Sequence, residues 1–206
     1  MTLHDSIDQS VNERENWALR RRRGIPNNKR LFVLTCMDER IPVERILGLE
    51  LGDAHIYRNA GALVTDDVIR SAALTTNFFG TQEIIILLHT ECGMLTTTGE
   101  QVVEALTTQL AERGIDINEI DLDPAIPGLS IPQQDLANWF RTFQDVDEAA
   151  VEQVRLLRDH PLILEGVTIH AYIYETESDT LRRPQARIAE QTSTSPPPVL
   201  STATAS

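Results

Sequence analysis

The two cysteines of this 206-residue chain are the residues whose types and spacing most clearly predict chemistry. Each follows an apolar run: Cys36 comes after Leu-Phe-Val-Leu-Thr, and Cys92 comes after Ile-Ile-Ile-Leu-Leu, with His89 three residues before it. Asp38 and Arg40 lie two and four residues after Cys36. Ligands of open α/β sheets gather beyond the carboxyl ends of strands, so all five side chains can meet at one sheet edge. These groups predict a zinc site, with Cys36, His89 and Cys92 as metal ligands, that is able to produce hydroxide.

The open coordination position of such a site leaves alternatives for Asp38. Two cysteines and one histidine fill three positions of a tetrahedral zinc ion, and a free fourth position distinguishes catalytic from structural zinc. The Asp38 carboxylate can close that position, or Arg40 can hold the carboxylate bidentately so that it orients a bound water. A local Asp38–Arg40 ion pair that closes the strand-to-helix turn is a third possibility.

The cysteines also have simpler explanations. Free cysteines are often inert buried side chains, because cysteine packs as a small hydrophobic residue. A disulfide is less favoured, since no signal peptide marks an oxidising destination and cytosolic thiols are kept reduced. A dithiol redox role is weaker again, because Cys36 and Cys92 are not arranged as Cys-x-x-Cys.

The composition is that of a globular protein with an acidic surface. With 41% hydrophobic residues, the chain can bury the core of one domain. The formal net charge of -13 argues against nucleic acid as a partner, because binding phosphates requires a basic face. The sequence has no apolar stretch near the roughly 20 residues that span a bilayer. We therefore expect a cytoplasmic protein without nucleic-acid or membrane partners.

Hydrophobic patterns predict alternating strands and helices. Apolar runs predict strands at 31–35, 54–57, 83–88 and 167–174, the last at a sheet edge. Helical periodicity predicts helices at 66–79, 100–113, 134–143 and 147–159. Strands separated by helices require crossover connections, so the predicted fold class is α/β, a single domain with a mainly parallel central β-sheet flanked by helices.

The domain organisation follows from the same patterns. Residues 1–24 are predicted to form an N-terminal helical arm, and residues 25–191 the globular domain. Residues 115–132 show no clear period and are expected to form an irregular excursion. The tail at 192–206 consists mainly of Ser, Thr, Ala and Pro and is predicted to be disordered.

Three short motifs give the chain a resemblance to a known family. They are Cys36-x-Asp38-x-Arg40, Arg58-Asn59-Ala60-Gly61 and His89-x-x-Cys92-Gly93. In order and spacing they resemble the β-class carbonic anhydrases, closely over about residues 30 to 113. The resemblance implies one zinc ion per subunit, bound by Cys36, His89 and Cys92, with Asp38 and Arg40 as the catalytic pair. It also implies a homodimer core, possibly extended to a tetramer, in which the neighbouring subunit completes the cleft.

Within that family the sequence is similar to the carbonyl sulfide and carbon disulfide hydrolases. The similarity extends through Leu-Thr-Cys36-Met-Asp-Glu-Arg40, Asp53 to Gly61 and Val64 to Ser71. Ordinary β-class members commonly have serine where Glu39 stands, and a glutamine before the first cysteine where this chain has Asn27-Asn28. This branch implies hydrolysis of carbonyl sulfide to hydrogen sulfide and carbon dioxide by a zinc-bound hydroxide. Carbon disulfide hydrolysis, reversible hydration of carbon dioxide and a non-catalytic zinc protein are the alternatives.

Substrate choice must come from the walls of the site, because all three substrates are linear, neutral and electrophilic at carbon. Sulfur is larger than oxygen and a poorer hydrogen-bond acceptor, so an apolar lining favours the sulfur compounds. The candidate lining residues are Met94, Leu95, Phe78 and Phe79. For the two phenylalanines, packing in the core is the competing explanation.

Overall fold

The computed structural model describes residues 27–117 and 136–185. The predicted N-terminal arm, the predicted tail and most of the predicted 115–132 excursion lie outside these ranges. Within these ranges, the structure has no helix with the length and hydropathy of a membrane span.

Five strands form one sheet, and helices connect them. In chain order the elements are β1 (Leu31–Cys36), α1 (Val43–Leu47), β2 (Ala54–Asn59), a 3-10 turn (Ala60–Ala62), α2 (Asp66–Asn77), β3 (Glu83–His89), α3 (Gly93–Thr96), α4 (Gly99–Glu112), α5 (Leu136–Trp139), α6 (Val146–Arg158), β4 (Thr168–Glu175) and β5 (Thr180–Arg182). The strand order is β2-β1-β3-β4-β5. The first four strands run parallel, and β5 pairs antiparallel with β4. The predicted α/β class with a mainly parallel sheet is confirmed.

The centre of the sheet is covered on both faces. All six residues of β1 are buried, and successive side chains of a strand point to opposite faces. The last four residues of β3 are buried in the same way. Helix α6 packs on β3 and β4, and α2 packs on β1. This double coverage explains why β1 and β3 read in the sequence as continuous apolar runs rather than as alternating ones.

Three details differ from the sequence prediction. The strand predicted at 167–174 is not at the edge, because the three-residue β5 pairs with its outer side. Helices α1 and α3 were not predicted, since five and four residues are too short to show a helical period. Of the helix predicted at 134–143, the described residues form a helix only at Leu136–Trp139.

Helix α6 also positions a loop beside the carboxyl edge of the sheet. Its buried residues are Val146, Ala149, Ala150, Gln153 and Leu157, the spacing of one helical face. Gln153 is the polar member of that face, and its Oε1 accepts a hydrogen bond of 2.8 Å from the buried backbone N–H of Val64. The amide thus satisfies a backbone donor that no water reaches.

Replacing Gln153 with Met should lower the free energy of unfolding by about 1–3 kcal/mol, because Met fills the volume but leaves the Val64 N–H without its acceptor. Urea denaturation at fixed metal concentration measures the change. Glu152→Met, on the exposed side of the same helix, is the matched control and should change stability by less than about 0.5 kcal/mol. Equal stabilities of the two variants would show that the hydrogen bond from Val64 to Gln153 does not contribute to the free energy of unfolding.

Candidate metal centre

The ends of β1 and β3 bring the first two candidate ligands together. Leu31 pairs with Glu83 and Thr35 with Leu87, so these neighbouring parallel strands end at the same edge of the sheet. Cys36 is the last residue of β1 and His89 the last residue of β3. Between His89 and Cys92 the chain turns through Glu91, whose φ of 55° is in the left-handed region.

Cys36, His89 and Cys92 form one compact donor cluster. Their ligand atoms all lie within 4.8 Å of one another, and the two Sγ atoms are 3.9 Å apart. All three side chains are buried, His89 to 1% exposure. Within the described ranges, neither ring nitrogen of His89 has a hydrogen-bond partner. A buried imidazole without partners is costly unless an ion occupies its lone pair, and a donor set of two sulfurs and one nitrogen suits zinc. The residues fit a zinc ion.

The electrostatics of the sulfur pair also favour a cation. The nearby Cys92 thiol lowers the pKa of Cys36, and the backbone N–H of Gly61 points at the Cys36 Sγ from 3.4 Å. In turn, hydrogen bonding to Cys36, together with burial, raises the pKa of Cys92. Two buried thiolates at this separation repel each other, so full ionisation of the pair requires a positive charge between them.

Asp38 lies at the rim of the donor cluster, where Arg40 binds its carboxylate. The guanidinium donates from Nε to Asp38 Oδ1 at 3.0 Å and from Nη2 to Oδ2 at 2.8 Å. This two-pronged hydrogen bonding from Arg40 lowers the pKa of Asp38 to about 2, so the carboxylate is ionised at neutral pH. Its Oδ2 is 3.9 Å from Nε2 of His89. Arg40 thus holds Asp38 beside the donor cluster, and the Arg40 backbone N–H also donates to Asp38 Oδ1 at 2.9 Å, so the pair closes the turn after β1 as well.

The Arg58-Asn59-Ala60-Gly61 segment supports the loop that carries Asp38. Arg58 donates to the carbonyl oxygens of Cys36, Asp38 and Ile41. Asn59 binds the backbone of Leu63 through both its amide nitrogen and its amide oxygen. Arg58 therefore fixes the chain that leaves β1, and Asn59 fixes the turn that presents Gly61 to Cys36.

An apolar wall stands beside Gly61. A Cβ at this position would be 3.1 Å from Cγ of Met94 and 3.2 Å from Cε1 of Phe143, so both side chains pack directly against the glycine. The backbone N–H of Phe143 donates to the Met94 carbonyl at 3.1 Å. Leu95, the other candidate from this segment, packs partly buried against the core. Phe143 was missed from the sequence, where it was assigned to the end of a helix.

Phe78 and Phe79 are not brought to the cluster within this chain. They follow α2, and the ring of Phe79 is 6.2 Å from that of His55. His55 pairs with Phe32 near the start of β1, at the opposite end of the strands from Cys36. Phe78 is 79% exposed. Their proposed lining role therefore does not apply to the donor cluster of the same chain.

A mainly parallel sheet with a buried donor cluster of two sulfurs and one nitrogen beyond the carboxyl ends of its strands, and an ionised carboxylate at the rim, is characteristic of α/β metalloproteins. The comparisons with known proteins specify the family. The family model described as carbonic anhydrase matches residues 31–181.

Two relatives and one solved structure are similar along nearly the whole chain. A carbon disulfide hydrolase of Saccharolobus solfataricus is 47% identical over 93% of this chain and 95% of its own length. A carbon disulfide hydrolase of Acidianus sp. (strain A1-3) is 50% identical over 93% and 95%. The solved structure of an apo carbon disulfide hydrolase superimposes with a TM-score of 0.72 at 47% identity and covers 97% of this chain and 100% of its own. The chain belongs to the β-carbonic anhydrase family, and its cofactor is zinc.

Substituting Cys36 with Ser or His89 with Ala should reduce bound zinc from one ion per chain to about a tenth or less, because two remaining donors hold zinc weakly. Elemental analysis of protein purified without chelator measures the content. His55→Asn is the matched control: His55 also has a buried, unpartnered ring nitrogen among the described residues, but at the opposite sheet edge. Full zinc content in Cys36→Ser would exclude this cluster as the metal centre.

Proposed function

We propose that Cys36, His89 and Cys92 hold the zinc ion and that the chain hydrolyses the carbon–sulfur bonds of carbon disulfide and carbonyl sulfide. The observation that carries the proposal is the Asp38 carboxylate, held ionised by Arg40 with Oδ2 3.9 Å from the buried metal-binding histidine. Two near full-length relatives named carbon disulfide hydrolases support the sulfur substrates. They favour carbon disulfide at least as strongly as carbonyl sulfide, which the sequence prediction placed first.

The two substrates are successive stages of one hydrolysis. Carbon disulfide and one water give carbonyl sulfide and hydrogen sulfide, and carbonyl sulfide and a second water give carbon dioxide and hydrogen sulfide. In each stage a carbon–oxygen bond forms, a carbon–sulfur bond breaks, and both protons of the water leave on sulfide. A single site able to attack the carbon of one compound can therefore attack that of the other.

The side chains around the ligands have separate tasks. When bound, zinc supplies a Lewis acid that lowers the pKa of a coordinated water into the physiological range. Asp38 Oδ2, on the side of the carboxylate that faces His89, accepts a hydrogen bond from the attacking water and orients it. Arg40 keeps that carboxylate charged and fixes its rotation through two parallel hydrogen bonds.

The apolar wall supports selection for sulfur. The side chains of Met94 and Phe143 pack beside Gly61, the residue whose N–H points at Cys36 Sγ. Apolar side chains offer carbon dioxide no hydrogen bond in exchange for its hydration, whereas sulfur, a weak acceptor, loses little on transfer from water. Contact with methionine and phenylalanine therefore favours the larger, more polarisable sulfur compounds.

A homodimer core is part of the proposal. Ile56 on the edge strand β2 and Leu74 and Phe78 on or beside α2 are exposed apolar side chains. Single exposed apolar residues are common, but a phenylalanine side chain that is 79% exposed favours burial in an interface. A partner subunit that covers the end of α2 would remove Phe78 from solvent.

Zinc-loaded protein offered the three gases separately in a sealed headspace should release hydrogen sulfide from carbon disulfide and carbonyl sulfide. The kcat/KM for at least one of them should exceed that for carbon dioxide hydration by about tenfold or more, the discrimination that an apolar pocket achieves. Cys36→Ser protein serves as the metal-depleted control. Faster carbon dioxide hydration would identify a carbonic anhydrase, and zinc-replete protein inactive on all three gases would indicate a non-catalytic zinc protein.

Replacing Asp38 with Asn should leave zinc content unchanged and lower kcat by about a hundredfold, because the amide accepts more weakly and loses the charge that Arg40 complements. Rates from the headspace assay and elemental analysis on the same preparation test this. Glu39→Gln removes the adjacent exposed carboxylate and should retain the parental rate. An Asp38→Asn rate equal to that of Glu39→Gln would remove Asp38 from the mechanism.

A further inference from the structure

Glu91 lies between His89 and Cys92, the two proposed metal ligands of the His89-x-x-Cys92-Gly93 motif, and is not itself one of the proposed ligands. Its backbone has a φ of 55°, a conformation that non-glycine residues rarely adopt, and its side chain is more than half exposed. An exposed glutamate in a strained turn has no packing reason to be there. Its contacts therefore decide what it contributes.

Those contacts converge on Arg40. The Arg40 guanidinium donates from Nη1 to Oε2 of Glu91 at 3.2 Å and from Nη2 to the Glu91 backbone carbonyl at 3.1 Å. The left-handed turn makes both acceptors of Glu91 available to the same cation. The Nε–Nη2 edge of the guanidinium thus binds Asp38, and its Nη1–Nη2 edge binds Glu91.

Glu91 is itself anchored to the neighbouring strand. The Thr176 hydroxyl donates to Glu91 Oε2 at 2.8 Å, and the Thr176 backbone N–H donates to the Thr90 hydroxyl at 3.0 Å. The Thr90 N–H in turn binds the carbonyl of Tyr174 at the end of β4 at 3.0 Å. A chain of hydrogen bonds therefore connects Arg40 to the sheet through Glu91.

We propose that Glu91 is a positioning residue for the hydrolytic reaction, one that acts through Arg40 to fix the orientation of the Asp38 carboxylate. The inference rests on the proposed role of Asp38. Arg40 is 45% exposed, so with Asp38 as its only partner its long side chain would sample several solvated rotamers. Glu91 and its anchor remove that freedom and keep both prongs of the guanidinium on Asp38.

Kinetic variants at Glu91 test the proposal with whichever gas the protein turns over. Glu91→Ala should lower kcat three- to tenfold with KM changed less than twofold, because Asp38 acts on the attacking water and not on substrate binding. Glu91→Gln keeps an oxygen acceptor for Arg40 and Thr176 and should recover part of the loss. Glu177→Gln, which removes an exposed carboxylate next to Thr176, should have the parental kcat. Zinc content should stay at the parental level in all three variants.

A double-mutant cycle separates positioning from a general effect on the loop. In an Arg40→Ala background, Glu91→Ala should lower kcat by less than twofold further, since Glu91 has nothing left to hold. An equal loss in both backgrounds, zinc loss in Glu91→Ala or parental kcat in Glu91→Ala would each overturn the proposal.

The same four proteins unfolded in urea should show non-additive denaturation midpoints for Glu91 and Arg40. This readout does not depend on turnover. Additive midpoints would overturn the proposed coupling of Glu91 to Arg40 even if the parent is active. Non-additive midpoints in a protein that is inactive on every gas would reject the proposed function alone.

Discussion

The parallel register of β1 and β3 is the constraint on which the site depends. Because parallel neighbours carry their carboxyl ends to one edge, Cys36 and His89 meet although they are far apart in sequence. Thr35, directly before Cys36, donates its buried hydroxyl to the Leu87 carbonyl at 3.0 Å and so adds a side-chain bond to the ladder. A slip of one residue would turn Cys36 to the other face of the sheet. The pairing of β1 with β3 therefore brings two of the three donors together without any contribution from the loops.

The groups of the site are divided between a dry interior and a wet rim. The sulfur and nitrogen donors are buried, where an unpaired charge is expensive and an ion is correspondingly well held. Asp38, Arg40 and Glu91 lie outward from them, where charged side chains keep contact with water. These charged side chains therefore avoid the free-energy cost of leaving water. Their exposure also leaves them more rotamer freedom, which the hydrogen bonds around Arg40 reduce.

The sequence predicted the parts of the structure that have a strong local signal. Continuous apolar runs predicted β1 and β3, and the residues that follow such runs predicted the donor cluster. Other features depend on tertiary contacts that leave no local pattern. Gln153 reads as an ordinary polar helix residue, although it bonds the Val64 backbone, and Phe143 reads as the end of a helix, although it packs on Gly61. Phe78 and Phe79 lie near His55, at the opposite end of the strands from Cys36, because the direction of α2 relative to the sheet decides which end they reach.

Gly61 contacts both the donor cluster and the apolar wall of Met94 and Phe143, and this limits how independently the two can vary. Its N–H points at Cys36 Sγ, and its left-handed φ of 79° is open to glycine at little cost. The space of its missing side chain is filled by Met94 and Phe143. A larger residue would have to displace that wall and strain the turn that delivers the N–H to sulfur. Changes in substrate preference are therefore expected to arise at Met94 or Phe143, where only the wall responds, and not at the glycine, where the charge on the sulfur ligand would change as well.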